Sequence, residues 1–201
     1  MRTRIIVFSL LLAGGLAVPA STGQAQPTPP PTCNGVPATL FLTTPGTIVG
    51  TPGSDVIVGS SGADFIDAIT NEGGQDLICG MGGDDTIQAR GLGTKAYGQG
   101  QNDQIWVDGG AKGYGGNGND TMTAQVSSEV FGEGNNDTLT AAWSSKAYGG
   151  PGNDILRTQF IAINTPSTLS GDSGSDDLTV VAAGDLADGG SDGDVLTIEG
   201  A

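Results

Sequence analysis

A Gly-rich six-residue turn closed by aspartate recurs ten times between residue 50 and the carboxyl end of this 201-residue chain. Each copy is followed by a short strand-like segment with one apolar residue at its centre. Aligned on the closing acid, the copies end at Asp55, Asp64, Asp76, Asp85, Asp103, Asp120, Asp137, Asp154, Asp176 and Asp194. The steps between them are 9, 12, 9, 18, 17, 17, 17, 22 and 18 residues. A unit this short cannot bury its apolar residue alone, so neighbouring copies have to stack and the chain is confined to a solenoid.

The steps of 17 and 18 residues are two nine-residue halves of which one keeps its aspartate, so each coil is strand, turn, strand, turn. The other half is recognisable too: Lys95-Ala96-Tyr97, Lys112-Gly113-Tyr114, Glu129-Val130-Phe131 and Lys146-Ala147-Tyr148 each stand before the next Gly-rich turn. Strand alternation turns Ala96, Gly113, Val130 and Ala147 inward against Ile105, Met122, Leu139 and Leu156. Small residues then face large ones, which suits a narrow core. The same alternation sends Tyr97, Tyr114, Phe131 and Tyr148 outward in one row, where stacking on neighbouring strands is sufficient reason for them. The long steps of 12 and 22 residues place loops at Ala68–Glu72 and Ile161–Thr168. No stretch after residue 40 carries a sustained helical period, so the expectation is all-β.

The chain has a net charge of −15 and no histidine. It opens with Arg2, Arg4 and an apolar run from Ile5, in the order of a secretory signal peptide over residues 1–25, with cleavage after Ala20 or Ala25. An uncleaved anchor is the other reading of that segment. Without it, five basic residues face 22 acidic ones, a net charge of −17 that disfavours nucleic acid and anionic membranes and attracts divalent cations. A Pro-rich spacer at residues 26–32 is a tether outside any sheet. Cys33 and Cys79 are the only cysteines. In an exported protein they favour a disulfide over two free thiols, stapling an amino-terminal cap of residues 33–49 onto a roll at 50–201.

Gly-rich turns bring successive carbonyl oxygens to one place, and an aspartate adds a carboxylate. Such a donor set contains only hard oxygens, which calcium accepts in numbers of six to eight, whereas zinc prefers nitrogen or sulfur. One turn is insufficient, but turns of adjacent coils lie about 4.8 Å apart. Asp64, Asp85, Asp103, Asp120, Asp137, Asp154, Asp176 and Asp194 are therefore expected in one column of shared sites, with Asp55 and Asp76 on the opposite edge. Gly115, Asn117, Asn119, Gly149 and Asn153 are further candidate donors, and the site at Asp120 is expected to be the best formed. Local turn bonding by the acids is the competing explanation. Ten copies at recurring spacing favour the metal.

The stretches Gly80 to Ile87, Gly115 to Met122 and Gly149 to Leu156 resemble the RTX, or haemolysin-type, calcium-binding repeats. The segment from Cys33 through Gly46–Asp55 to Cys79 is similar to the opening of secreted bacterial calcium-binding repeat proteins of no assigned activity. The resemblance implies a right-handed parallel β-roll, or β-solenoid, of 17–18-residue coils with Ca2+ in its turns. Gln101, Asn135 and Asp192 replace the fourth-position glycine, which weakens the expectation of sites at Asp103, Asp137 and Asp194. The expected function is calcium binding with calcium-dependent folding of a secreted structural or surface-interaction protein. The alternative is a carbohydrate- or ice-binding module using the aromatic row or the threonines Thr121, Thr123, Thr138 and Thr140. Enzymatic activity is not expected, since a chain without histidine has no conventional triad and both cysteines are assigned to a bridge.

Overall fold

The computed structural model describes residues 28–69, 74–159 and 165–199, and over these it is all-β. Strands β1 (Thr32–Cys33) and β2 (Val36–Pro37) form a small antiparallel hairpin, so Thr32, expected as the last residue of a spacer outside any sheet, pairs with Pro37 instead. The following strands enter two nine-stranded parallel sheets alternately. The first sheet holds β3 (Leu40–Phe41), β5 (Val56–Val58), β7 (Leu77–Cys79), β9 (Lys95–Gly100), β11 (Lys112–Asn117), β13 (Glu129–Gly134), β15 (Lys146–Pro151), β17 (Thr168–Ser173) and β19 (Leu186–Asp188). The second holds β4 (Thr47–Val49), β6 (Phe65–Ala68), β8 (Thr86–Arg90), β10 (Gln104–Asp108), β12 (Thr121–Ala124), β14 (Thr138–Ala141), β16 (Ile155–Thr158), β18 (Asp177–Val180) and β20 (Val195–Ile198). The result is a parallel β-solenoid of about eight turns with coils of about 18 residues.

The core is built from the inward-facing residues of the two sheets. Ile66, Ile87, Ile105, Met122, Leu139, Leu156 and Leu178 stack on the second sheet, facing Ile57, Ile78, Ala96, Gly113, Val130, Ala147 and Leu169 on the first. Large-against-small pairing is tightest at Gly113, where a Cβ would stand 3.1 Å from Ile105 Cγ2, 3.2 Å from Met122 Cε and 3.2 Å from Val107 Cγ1. A second inward layer of Ala68, Ala89, Val107, Ala124 and Ala141 is also small, and this keeps the two sheets close at the end of each second-sheet strand.

The aromatic row forms as the 17-residue period predicts. Tyr97, Tyr114, Phe131 and Tyr148 stack with centroids 4.7, 5.0 and 4.8 Å apart and planes within 9° of parallel. Because these separations equal the strand spacing, each inner ring is covered on both faces by its neighbours and presents only its edge outward.

Three expectations need amendment. The parallel ladders begin before residue 50, because Leu40–Phe41 pairs with β5 and Thr47–Val49 with β6, so the segment expected as a cap already supplies the first coil. The Cys33–Cys79 disulfide forms, with Cα atoms 5.6 Å apart, but its hairpin does not lie over the open end of that coil. Cys79 follows the inward Ile78 and so points to the outer face, where Cys33, Ala38 and Val58 close around it beside Tyr97. The expected loops also shrink, since Ala68 belongs to β6 and Thr168 to β17. Residues 70–73 and 160–164 of those loops, like the expected signal segment 1–25, lie outside the described residues.

Candidate metal centre

The two edges of the solenoid are unequal in the way the spacing predicts. Asp64, Asp85, Asp103, Asp120, Asp137, Asp154, Asp176 and Asp194 each immediately precede a strand of the second sheet, whereas Asp55 and Asp76 precede strands of the first. In the turns that close at Asp85, Asp103, Asp120, Asp137, Asp176 and Asp194 the second and fourth positions take left-handed backbone, as at Gly116 (φ 111°) and Gly118 (φ 135°). Gln101, Asn135 and Asp192 adopt the same conformation at φ 75°, 81° and 89°, so replacing the fourth-position glycine does not unmake the turn.

The aspartate side chains turn inward and are almost wholly buried: Asp85, Asp103, Asp120, Asp137, Asp154 and Asp176 are each 1% exposed. One oxygen of each has a structural task. The main-chain N–H of Asp64 donates to Asp85 Oδ1 at 2.8 Å, that of Asp85 to Asp103 at 2.8 Å, and that of Asp103 to Asp120 at 2.7 Å. The series continues from Asp120 to Asp137, from Asp137 to Asp154, from Asp154 to Asp176 and from Asp176 to Asp194 at 2.7–3.0 Å. Asp55 donates to Asp76 in the same way at 2.9 Å on the opposite edge.

The second oxygen separates the aspartates of the two edges into classes. Oδ2 of Asp55 accepts the Thr51 amide at 2.6 Å, and Oδ2 of Asp64 accepts the Ser60 amide at 2.5 Å. Oδ2 of Asp85, Asp103, Asp120, Asp137, Asp154 and Asp176 is buried with no hydrogen-bond partner. These six occur in consecutive coils. Each points at the first glycine of its own turn, and at Gly115 a Cβ would overlap Asp120 Oδ2 and stand 2.7 Å from the carbonyl oxygen of Gly132 in the next coil. Gly98, Gly132, Gly149 and Gly171 repeat the arrangement with Asp103, Asp137, Asp154 and Asp176. A carboxylate oxygen and a main-chain carbonyl oxygen thus crowd the same hollow, and a side chain on the glycine would close it.

An orphaned carboxylate oxygen in a dry site is costly unless a proton or a cation meets it. Burial pushes the Asp85 and Asp154 carboxyls up to about 6, and the Asp103 and Asp137 carboxyls up to about 7. Asp76, Asp120 and Asp176 are raised by the same cause. The amide donated to each Oδ1 opposes the shift, and the charge of neighbouring acids adds to it, as Asp85 and Asp120 do around Asp103. Among the described residues no three acidic side chains converge on one point. A cation here would therefore be held by single carboxylates from successive turns together with main-chain carbonyls, an all-oxygen set of the kind calcium takes.

On the opposite edge hydroxyls make the same hydrogen bond without the charge in several of the middle coils. The residue preceding each first-sheet strand there is Thr94, Ala111, Ser128, Ser145 and Ser167 in turn. Asp76 donates its amide to Thr94 Oγ1 at 3.1 Å, and Ser128 donates to Ser145 Oγ at 3.2 Å. An eleventh aspartate that the motif search misses, Asp185, closes this series by accepting the Ser167 amide at 2.9 Å. It stands nine residues after Asp176 and nine before Asp194, and that step was the available signal. Its second oxygen is occupied by the Thr158 hydroxyl at 2.6 Å and the Ala182 amide at 3.1 Å.

The asparagines before the closing acids form a second, outer ladder. Asn102 Oδ1 accepts from the Asn119 amide, Asn119 Oδ1 from Asn136, Asn136 Oδ1 from Asn153 and Asn153 Oδ1 from Ser175, at 2.8–3.0 Å. The side chains of Asn119 and Asn153, expected as donors to a metal, are thus engaged between coils. Asn117 lies exposed at the end of β11, paired with Gly134. Gly115 and Gly149 line the hollows described above.

The model of the RTX calcium-binding nonapeptide repeat matches this chain in four copies, over residues 46–68, 72–90 and 114–125. RTX nonapeptide repeats bind Ca2+ and are not catalytic, and proteins that carry them are typically secreted. The matched stretches contain Asp55, Asp64, Asp76, Asp85 and Asp120, while Asp103, Asp137, Asp154, Asp176 and Asp194 fall outside them yet occupy the same place in the coil. No curated protein and no solved structure matches the chain.

Proposed function

We propose that this chain, an RTX calcium-binding repeat protein, holds several Ca2+ ions along the edge from Asp85 to Asp176 and completes its folding as it does so. The observation that carries this reading is the run of six buried, partnerless Oδ2 atoms in consecutive coils. Ser and Thr make the equivalent inter-coil bond on the other edge, so hydrogen bonding alone does not require a carboxylate. With calcium the surplus oxygens gain a counter-charge, and binding free energy becomes folding free energy. Asp85, Asp103, Asp120, Asp137, Asp154 and Asp176 would supply carboxylate, and the first-position glycines of the following turns would supply carbonyl oxygen. Asp55 and Asp64 contribute less on this reading, because their second oxygens are already bonded. Asp76 and Asp194 would lie at the margins of the set.

The wider role we infer is that of an exported, rigid acidic rod with a structural or surface-interaction part. The signal-like residues 1–25 and the Pro-rich arm support export and tethering. A sugar platform on the aromatic row has less support, because the inner rings spend both faces on each other and sugars stack on ring faces.

Calorimetric titration with Ca2+, run beside far-UV circular dichroism in chelator and in calcium, tests the reading. The expected result is several ions per chain and a gain of β signal with calcium. A stoichiometry below about three, or a spectrum indifferent to calcium, would overturn it.

A further inference from the structure

The five basic residues beyond residue 25 are Arg90, Lys95, Lys112, Lys146 and Arg157. The first four stand at the strand ends that bracket the turns of the edge opposite the aspartate column. Arg90 is paired with Asp108 at 2.7 Å. Lys112 and Lys146 share Glu129 at 2.5 and 3.2 Å, which with Lys95 leaves that row net positive over the middle coils, between Asp76 and Asp185 of the same edge.

The tips of the same turns are apolar. Leu92 is 78% exposed and Val126 48% exposed, and Trp143 is half-buried. Val126 and Trp143 occupy one turn position in adjacent coils, since the Gly110 amide donates to the Val126 carbonyl and the Ser127 amide to the Trp143 carbonyl. Both have left-handed backbone, φ 49° and 51°. In the preceding coil the corresponding turn is Gly109-Gly110, at φ 67° and 87°, where the conformation is free of steric cost. A β-branched residue is an outlier there. Twice in succession, then, the chain places a bulky apolar group at a solvent-facing tip where glycine or asparagine would be at ease. Leu92 extends the apolar run across the glycine turn, because a Cβ on Gly110 would stand 3.1 Å from Leu92 Cδ1.

We propose that this edge docks on an anionic lipid surface, with Leu92, Val126 and Trp143 entering the headgroup layer and Lys95, Lys112 and Lys146 meeting lipid phosphates. Apolar tips flanked by lysines suit such an interface, which needs no matching shape. The acidic edge of a second copy is the poorer partner: its column carboxylates are 1% exposed, and its exposed acids Asp84, Glu133 and Asp172 stand among turns whose one exposed large apolar side chain among the described residues is Met81, too little to cover Leu92, Val126 and Trp143. The overall charge opposes approach to an anionic surface, so docking rests on the calcium reading in one respect: cations on the far edge offset that charge.

The test is co-sedimentation of calcium-treated protein with vesicles of phosphatidylcholine and phosphatidylglycerol, against vesicles of phosphatidylcholine alone. Circular dichroism and calcium stoichiometry on the same samples without vesicles report the calcium reading separately, and sedimentation is read on folded protein in either case. The expected result is partition to the mixed vesicles, weakened by salt, and a blue shift of Trp143 emission in a Trp106→Phe background. Val126→Asn with Trp143→Asn should lower partition by about tenfold or more with the fold and stoichiometry kept, because asparagine tolerates left-handed backbone. Equal partition by this variant, or a folded wild type that ignores the mixed vesicles, overturns the proposal.

Discussion

The main-chain N–H of Asp103 donates at 2.7 Å to Oδ1 of Asp120 in the next coil, while Oδ2 of Asp120 is buried with no partner. Half of the carboxyl group holds two coils in register and the other half is unsatisfied. On the opposite edge Ser145 does the first task for Ser128 with a hydroxyl and leaves no such residue of charge. Where a hydroxyl stands opposite, as at Thr94 and Ser145, the difference between the edges is therefore one oxygen.

Replacing Asp120 with serine should copy the opposite edge. Removing the unpartnered carboxylate oxygen relieves a cost of about 1–3 kcal/mol in the metal-free fold, offset in part by a longer hydrogen bond. The variant is expected to unfold no more readily than wild type in chelator, yet to take up fewer calcium ions and gain less stability from calcium. Urea denaturation with and without calcium, together with the calorimetric stoichiometry, checks both halves. A variant with wild-type calcium uptake would remove Asp120 from the site.

How much of this was legible beforehand follows from which residues repeat. The step of 17 or 18 residues assigns Asp85 to Asp194 to one edge, because every second half-coil must return to the same sheet. The inward and outward rows follow from alternation, and Gly113 against Met122 was visible as small against large. The first coil was not visible, since Leu40–Phe41 and Thr47–Val49 carry inward residues but no Gly-rich turn. Asp185 escaped because Ala182-Ala183-Gly184 before it lacks the spaced glycines, although its nine-residue distance from Asp176 is regular. The split between satisfied and orphaned Oδ2 atoms could not be read at all. It depends on whether the second turn residue aims its amide at the carboxylate, as Thr51 and Ser60 do, and that is a matter of backbone geometry.

Metal-free stability should fall as pH rises. The folded-state carboxyls of Asp85 and Asp154 lie at about 6 and those of Asp103 and Asp137 at about 7, above the unfolded value of about 3.9. A raised group contributes stability that is full below the unfolded pKa and is lost as pH climbs through the folded one. In chelator the urea midpoint is thus expected to be higher near pH 5 than near pH 8. Calcium reverses the sign, since a cation requires the deprotonated carboxylates, and calcium affinity should drop as pH falls through about 7 to 6. Parallel pH profiles with and without calcium would refute the assignment.

Gly115 and Gly134 offer a matched pair of alanine substitutions. A Cβ at Gly115 would overlap Asp120 Oδ2 and press on the Gly132 carbonyl at 2.7 Å, whereas at Gly134 the nearest atom is the Gly116 carbonyl oxygen at 3.7 Å. Gly115→Ala is expected to cost about 1–3 kcal/mol by overpacking and to impair calcium uptake. Gly134→Ala should stay within about 0.5 kcal/mol of wild type. Chemical denaturation in calcium distinguishes them, and equal effects would show that the hollow beside Gly115 is not under constraint.

The Cys33–Cys79 bridge closes 46 residues and fastens the hairpin to β7 on the outer face of the first sheet, beside the start of the aromatic row at Tyr97. A loop of that length gives at most about 4 kcal/mol in the chain-entropy description. Cys33→Ser with Cys79→Ser should therefore lower stability by about 2–4 kcal/mol. In a solenoid each coil contacts only its neighbours, so the loss should stay local. Hydrogen exchange is expected to accelerate in β5 and β7, which lose the cover of Cys33 and Ala38, and to change little in β13 and β15. Uniform acceleration along the whole solenoid would mean that the coils melt as one unit and that the staple acts on all of them.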